Sequence, residues 1–122
     1  MNSYDLENRC FEFAKAVALY CYKLPRNAIN VEYIRQVVRA SSSVGANYIE
    51  TNEGLSRKDK LMHAKISRKE AKESGFFLRL IRETNQPQYS DEGKELIKEA
   101  DELRRIFSSI ISKIEQGGET RD

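Results

Sequence analysis

Apolar side chains recur every three or four residues along almost the whole chain, the period of an α-helix rather than the alternation of a strand. Leu6, Cys10, Phe13, Val17, Tyr20 and Leu24 carry it through a first helix over about residues 5–24, which Pro25 closes. Arg26 to Asn30 read as a short polar connection. A second helix follows over about residues 31–52, its stripe made of Ile34, Val37, Val38, Ser41, Val44, Gly45, Tyr48 and Ile49. Gly54 suits a helix stop and Ser56 an N-cap, with Asp59 at the capping-box position. The third helix, about residues 57–84, carries Met62, Ile66, Phe77, Leu80 and Ile81 on its apolar side and ends at Gln86 and Pro87. Ser90 is placed to cap a fourth helix over about residues 90–116, where Leu96, Ala100, Leu103, Phe107, Ile110 and Ile114 keep a heptad rhythm. Gly117 and Gly118 predict its end, and residues 117–122 a frayed tail. Four long helices with short links bury their stripes against one another. The expected fold is therefore one all-α domain over residues 1–122, an antiparallel up-down-up-down four-helix bundle.

The stretch RASSSVGANYIETNEG, residues 39–54, resembles a linker by composition, because small residues crowd it. The apolar stripe nevertheless passes through it without a break, so it belongs to the second helix. Ser41 and Gly45 fall on the core side, while Ala40, Ser43 and Ala46 fall outside the stripe. Smallness on more than one side permits two close helix neighbours, one within the subunit and one across an interface. A phosphate-cradling loop is excluded, because the run lacks the spaced glycine and lysine of that motif and the strand that precedes it.

No apolar run approaches the roughly 18 residues that cross a bilayer, and the polar, acid-bearing start MNSYDLENRC does not read as a signal peptide. A cytoplasmic location without membrane contact is the expectation. Cys10 and Cys21 lie eleven residues apart in one helix. That spacing is roughly 16 Å along the axis, too far for a disulfide or a shared metal, and reads as two buried core thiols. The net charge of +2 permits contact with nucleic acid without demanding it.

Residues that could carry chemistry are few. His63 is the single histidine, at the edge of the third helix's apolar side, and no Glu-x-x-His pair accompanies it. Neither a metal site, a cofactor nor a small-molecule substrate is expected, and no catalytic residue is assigned. Glu50, Glu70 and Glu73 lie on or near apolar faces and are candidates for buried ion pairs, with Arg39, Lys69 and Lys72 as partners. Lys58, Lys65, Arg68, Lys72, Arg79 and Arg82 recur along the third helix within roughly a 120° sector, a stripe suited to phosphate contact. No surface aromatic is expected to interleave with it, so base stacking is not expected there.

The run from Arg39 to Glu50, with Ser43, Val44, Ala46 and Asn47 inside it and Gly54 and Ser56 after it, resembles the signature of one family. These are the four-helix-bundle proteins encoded in intervening sequences of bacterial 23S ribosomal RNA genes. The run KISRKEAKES, residues 65–74, is similar to that family's third helix, and the resemblance covers about residues 8–115. Gly45 departs from it, standing where many relatives carry proline. The resemblance implies a ring-like homopentamer without enzymatic activity. It also implies a distant relation to the accessory variability determinant proteins of diversity-generating retroelements, which are more basic than this chain and bind nucleic acid. Two expectations follow: a self-assembling bundle that contacts RNA or DNA through the third helix, or a protein-interaction scaffold with no nucleic-acid role.

Overall fold

A computed structural model describes the backbone of residues 1–121 and the side chains of residues 1–117. Four helices follow one another: α1 (Ser3–Lys23), α2 (Ala28–Glu53), α3 (Arg57–Thr84) and α4 (Ser90–Arg121), with a 3-10 turn at Pro87–Tyr89 before α4. Cross-helix partners run in opposite directions along each neighbouring pair. Asn47 meets His63, Val44 meets Ser67 and Arg39 meets Glu70 between α2 and α3. Arg57 reaches Ile114 and Arg82 reaches Ser90 between α3 and α4. Arg9 binds Glu99 and Lys23 binds Glu92 between α1 and α4, and Glu7 accepts from Asn52 between α1 and α2. The bundle is antiparallel throughout.

The caps explain most of the helix starts. Asn2 accepts from the Asp5 amide while Asp5 accepts from the Asn2 amide, a reciprocal pair that satisfies two otherwise orphaned donors of α1. Asn27 caps α2 by accepting from the Asn30 amide, so α2 begins at Ala28 and not near Val31. Asn30, expected in the connection, is instead fully enclosed. Its amide donates to the Pro25 carbonyl and exchanges hydrogen bonds with Asn85, closing the end of the bundle where α3 stops. Ser56 caps α3 as expected. Ser90 does not cap α4; it starts that helix, and its oxygens accept from Arg82. Gly117 and Gly118 do not end α4, which stays helical to Arg121; among the described residues no glycine takes the positive φ of a left-handed C-terminal stop. The expected tail at 117–122 is thus helical to Arg121, and Asp122 lies outside the described residues.

The core contains all six positions expected of the first helix, Leu24 standing just past the end of α1, together with Val37, Val44, Tyr48, Leu78, Ile81, Leu96, Leu103 and Phe107. Tyr48 meets Phe107 edge to face, with ring centroids 5.5 Å apart, a pairing worth about 1 kcal/mol beyond the area it buries. Three stripes differ from expectation. On α2, Ala40 is enclosed, whereas Val38 and Ile49 are exposed. On α3 the inward face is Ala64, Ser67, Glu70, Ala71, Ser74, Leu78 and Ile81, while Met62 is exposed and Ile66, Phe77 and Leu80 lie on the flanks. On α4, Ile111 takes the buried position after Phe107, and Ile110 and Ile114 are half-buried. The straight 3.6-residue turn outruns a strict heptad, so the seam drifts by one residue.

Candidate nucleic-acid interface

The inward face of α3 is built from small residues, which lets α2 and α4 pack closely against it. Its outer face is left to charge. Lys58, Lys65, Lys72 and Arg79 are exposed at seven-residue intervals, two turns apart each time. None of the ion pairs found among the described residues involves these four or Lys69.

The other two predicted cations behave differently. Arg82 is spent internally, its Nε donating to the Ser90 carbonyl at 3.1 Å and to Ser90 Oγ at 2.9 Å, which pins the turn into α4. Arg68 is half-buried and leans toward α4, with Nη1 3.5 Å from Ser108 Oγ. There it enters a groove of about 640 Å³ lined by Lys65, Arg68, Lys69, Lys72, Glu73, Phe76, Arg104 and Ser108. A smaller recess of about 260 Å³ continues it along Lys72, Phe76, Arg79 and Arg104, over a floor of Ala71, Gly75 and Ala100. Lys58 lines neither. Arg104 is aligned by Asp101 at 2.9 Å, and Arg105 shares that carboxylate at 3.0 Å. The Arg104 hydrogen bond, reinforced by Arg105, holds the Asp101 carboxyl below its usual range.

Lys69, Phe76 and Arg104 line the groove but are not among the six cations expected to meet phosphate. Lys69 and Lys72, expected as ion-pair partners of the carboxylates, are in none of the ion pairs found among the described residues, where Arg39 alone pairs with Glu70 and Glu73. Lys69 stands one residue from Arg68 and Phe76 four residues from Lys72, so the spacing on α3 holds a signal for both. Arg104 depends on how α4 docks, which no spacing within α3 reveals. Phe76 also corrects the expectation that no aromatic interleaves with the stripe, since the residue is 55% exposed among the cations.

Of the motif residues, Asn47 and Arg39 serve a different purpose, tying α2 to α3. Asn47 Nδ2 donates to the Ser43 carbonyl and hydroxyl at 3.0 and 2.9 Å, which orients its Oδ1 toward His63 Nδ1 at 2.9 Å. His63 Nδ1 therefore carries a proton, and Nε2 faces Asp59 at 3.7 Å. His63, expected only at the edge of the apolar side, is part of this link. Ser67 donates to the Val44 carbonyl one turn further on. Arg39 then reaches Glu70 at 3.7 Å and Glu73 at 3.5 Å.

Of the three carboxylates expected to be buried, only Glu70 is, at 6% exposure, and its Oε1 accepts no hydrogen bond. Glu73 is half-buried, and Glu50 is exposed on the outer side of α2. Of the expected ion pairs, Glu70 and Glu73 thus share Arg39, and Glu50 is in none of those found among the described residues. Ala46 lies exposed beside the α1–α2 groove, and Gly54 ends α2 in extended backbone.

A family model described as 23S rRNA-intervening sequence protein matches residues 3–109. Among solved structures, the chain is similar to a Bacteroides thetaiotaomicron protein of unknown function from the S23 ribosomal protein family. The two share 28% identity with a TM-score of 0.70, over 92% of this chain and 99% of the other. No curated protein matches the chain.

Proposed function

We propose that this chain, which belongs to the 23S rRNA-intervening sequence protein family, is a non-enzymatic, self-assembling bundle that holds RNA or DNA by its phosphates along α3. The observation that carries this reading is the groove between α3 and α4, where Lys65, Arg68, Lys69, Lys72 and Arg104 converge against one carboxylate, Glu73. Arg39 partly neutralises Glu73 from the α2 side. Lys65, Lys69 and Lys72, exposed and outside every ion pair found among the described residues, recruit phosphate and release its counterions, while Arg104 faces the groove already paired with Asp101. Replacing Arg68, Lys72 and Arg79 together by alanine is expected to weaken binding of a labelled RNA at least tenfold, and to flatten the slope of log K against log salt by about 2 to 3. Undiminished binding by the triple variant in a filter or gel-shift titration would remove the stripe from the mechanism.

Self-assembly is supported on the other side of the bundle. Phe11 at 62% exposure, Tyr22 at 86% and Ile49 at 47% stand out from α1 and α2. Beside them lie two grooves of about 430 and 420 Å³, one floored by Ala14, Gly45 and Ala46 and the other by Ala18, Leu24 and Ile34. Exposed apolar area on this scale favours a second copy as cover. The family resemblance puts the number of copies at five. Light scattering on the eluting protein is expected to give a pentamer at micromolar concentration, and Phe11→Glu with Ile49→Glu a monomer that keeps its helical circular dichroism. A monomeric unsubstituted protein would sink this part of the reading. The same apolar face would by itself favour a scaffold for another protein. That reading gains if the purified chain carries no nucleic acid and shifts none at low salt.

A further inference from the structure

Resting on that reading of the α3–α4 groove, we propose that its occupant is an unpaired strand whose bases stack on Phe76. Three observations single the residue out. The residue is 55% exposed although it sits between the two recesses, lining both together with Lys72 and Arg104. It is not a loose side chain: Phe77, packed against the core, meets it nearly at right angles, at 78° with centroids 5.4 Å apart. Beside it the groove floor is Ala71, Gly75 and Ala100, small enough to leave a flat object room against the ring. A large exposed aromatic on a face where lysines and arginines outnumber the carboxylates of Glu73 and Asp101 lowers solubility without contributing to the core, and so calls for a ligand with a planar apolar surface and negative charge at once.

Nucleic acid has that pairing, and only in its unpaired form. In a duplex the base faces are covered by their neighbours, so a paired helix would meet Lys65, Lys72 and Arg79 through its phosphates and leave Phe76 unused. An unpaired strand turns its bases away from the backbone, and a basic groove with an aromatic platform is how proteins hold such strands without reading their sequence. Here Phe76 divides the groove, so one base lies against the ring while phosphates on either side meet Arg68 and Lys69 in the larger recess and Arg79 in the smaller. The Arg104 guanidinium, aligned by Asp101, is positioned to face the strand from α4.

The test compares a labelled mixed-sequence RNA of about 12 nucleotides, a length within the usual site range, with the same RNA annealed to its complement. Phe76→Ala is expected to weaken the single strand roughly tenfold while leaving the duplex affinity and both salt slopes unchanged. The chain contains no tryptophan, so Phe76→Trp supplies a unique fluorophore. Its emission is expected to be quenched by the single strand and unaffected by the duplex. Equal effects of Phe76→Ala on both RNAs, or no effect on either, together with an unquenched Trp, would overturn stacking and leave the phosphate reading in place. Failure of the unsubstituted protein to bind either RNA would overturn both.

Discussion

In the folded protein at pH 8, Cys10 and Cys21 are expected to resist a thiol reagent such as Ellman's reagent almost completely, and to react within minutes once the chain is unfolded in urea. Both thiols are buried, Cys10 completely, where α1 meets α2. Desolvation, the main cause, pushes the Cys10 thiol up to about 12 and the Cys21 thiol up to about 11, both from 9.0. Only the thiolate attacks, so these shifts alone slow reaction by about 1,000-fold for Cys10 and about 100-fold for Cys21, before any steric exclusion is counted. The same groups make folding sensitive to alkali. Their folded values lie above their unfolded ones, so the stability they contribute is complete below pH 9 and declines as pH rises toward 11 and 12. Tyr20, raised by burial from 10.0 to about 12, adds to the loss in the upper part of that window. Urea midpoints should therefore fall between pH 8.5 and 10.5. Rapid labelling of both thiols in the native protein, or a flat midpoint across that range, would contradict the packing described for α1.

The contrast between α1 and α3 shows how far the amino-acid sequence exposes the fold. On α1 the inward residues are large and apolar, Leu6, Phe13, Val17, Tyr20 and Leu24 with Cys10, so hydrophobic periodicity and burial coincide. On α3 they are mostly Ala64, Ser67, Ala71 and Ser74. Such residues are chosen for closeness of approach, and serine hydroxyls satisfy themselves locally, as Ser74 does on the Glu70 carbonyl. A pattern search therefore selects the bulkier Met62, Ile66 and Phe77, which flank the packed surface. The basic stripe was legible because like charges repeat along one helix. Its completion by Arg104 was not, since that requires the register of α4 against α3. Asn47 and Glu50 illustrate the same limit within one motif: Asn47 locks α2 to α3 through His63, whereas Glu50 faces outward.

Replacing Gly93 by alanine is expected to destabilise the protein, although alanine is the better helix former. Gly93 is buried in the first turns of α4, and a Cβ there would stand 2.7 Å from the Tyr20 hydroxyl and 3.5 Å from Arg82 Cβ. Tyr20 cannot give way easily. Its side chain is wholly enclosed, and its hydroxyl donates to the Tyr89 carbonyl at 2.9 Å in the 3-10 turn that leads into α4. Pushing the ring aside costs about 1 to 3 kcal/mol of overpacking, and losing the hydrogen bond about 1 kcal/mol more. The gain in helix propensity returns only about 1 kcal/mol, so overcrowding wins by roughly 2 kcal/mol, a fall in Tm on the order of 10 °C. The partner variant separates this mechanism from a general intolerance of side chains at position 93. Tyr20→Phe removes the oxygen that the new methyl would strike, so Gly93→Ala should cost clearly less in the Tyr20→Phe background than in the parent chain, with a coupling of about 1 kcal/mol or more. Equal costs in the two backgrounds would show that the tyrosine hydroxyl is not what reserves this position for glycine. An unchanged Tm in the single variant would show that α1 and α4 are not held as closely at this corner as the Tyr20–Tyr89 hydrogen bond requires.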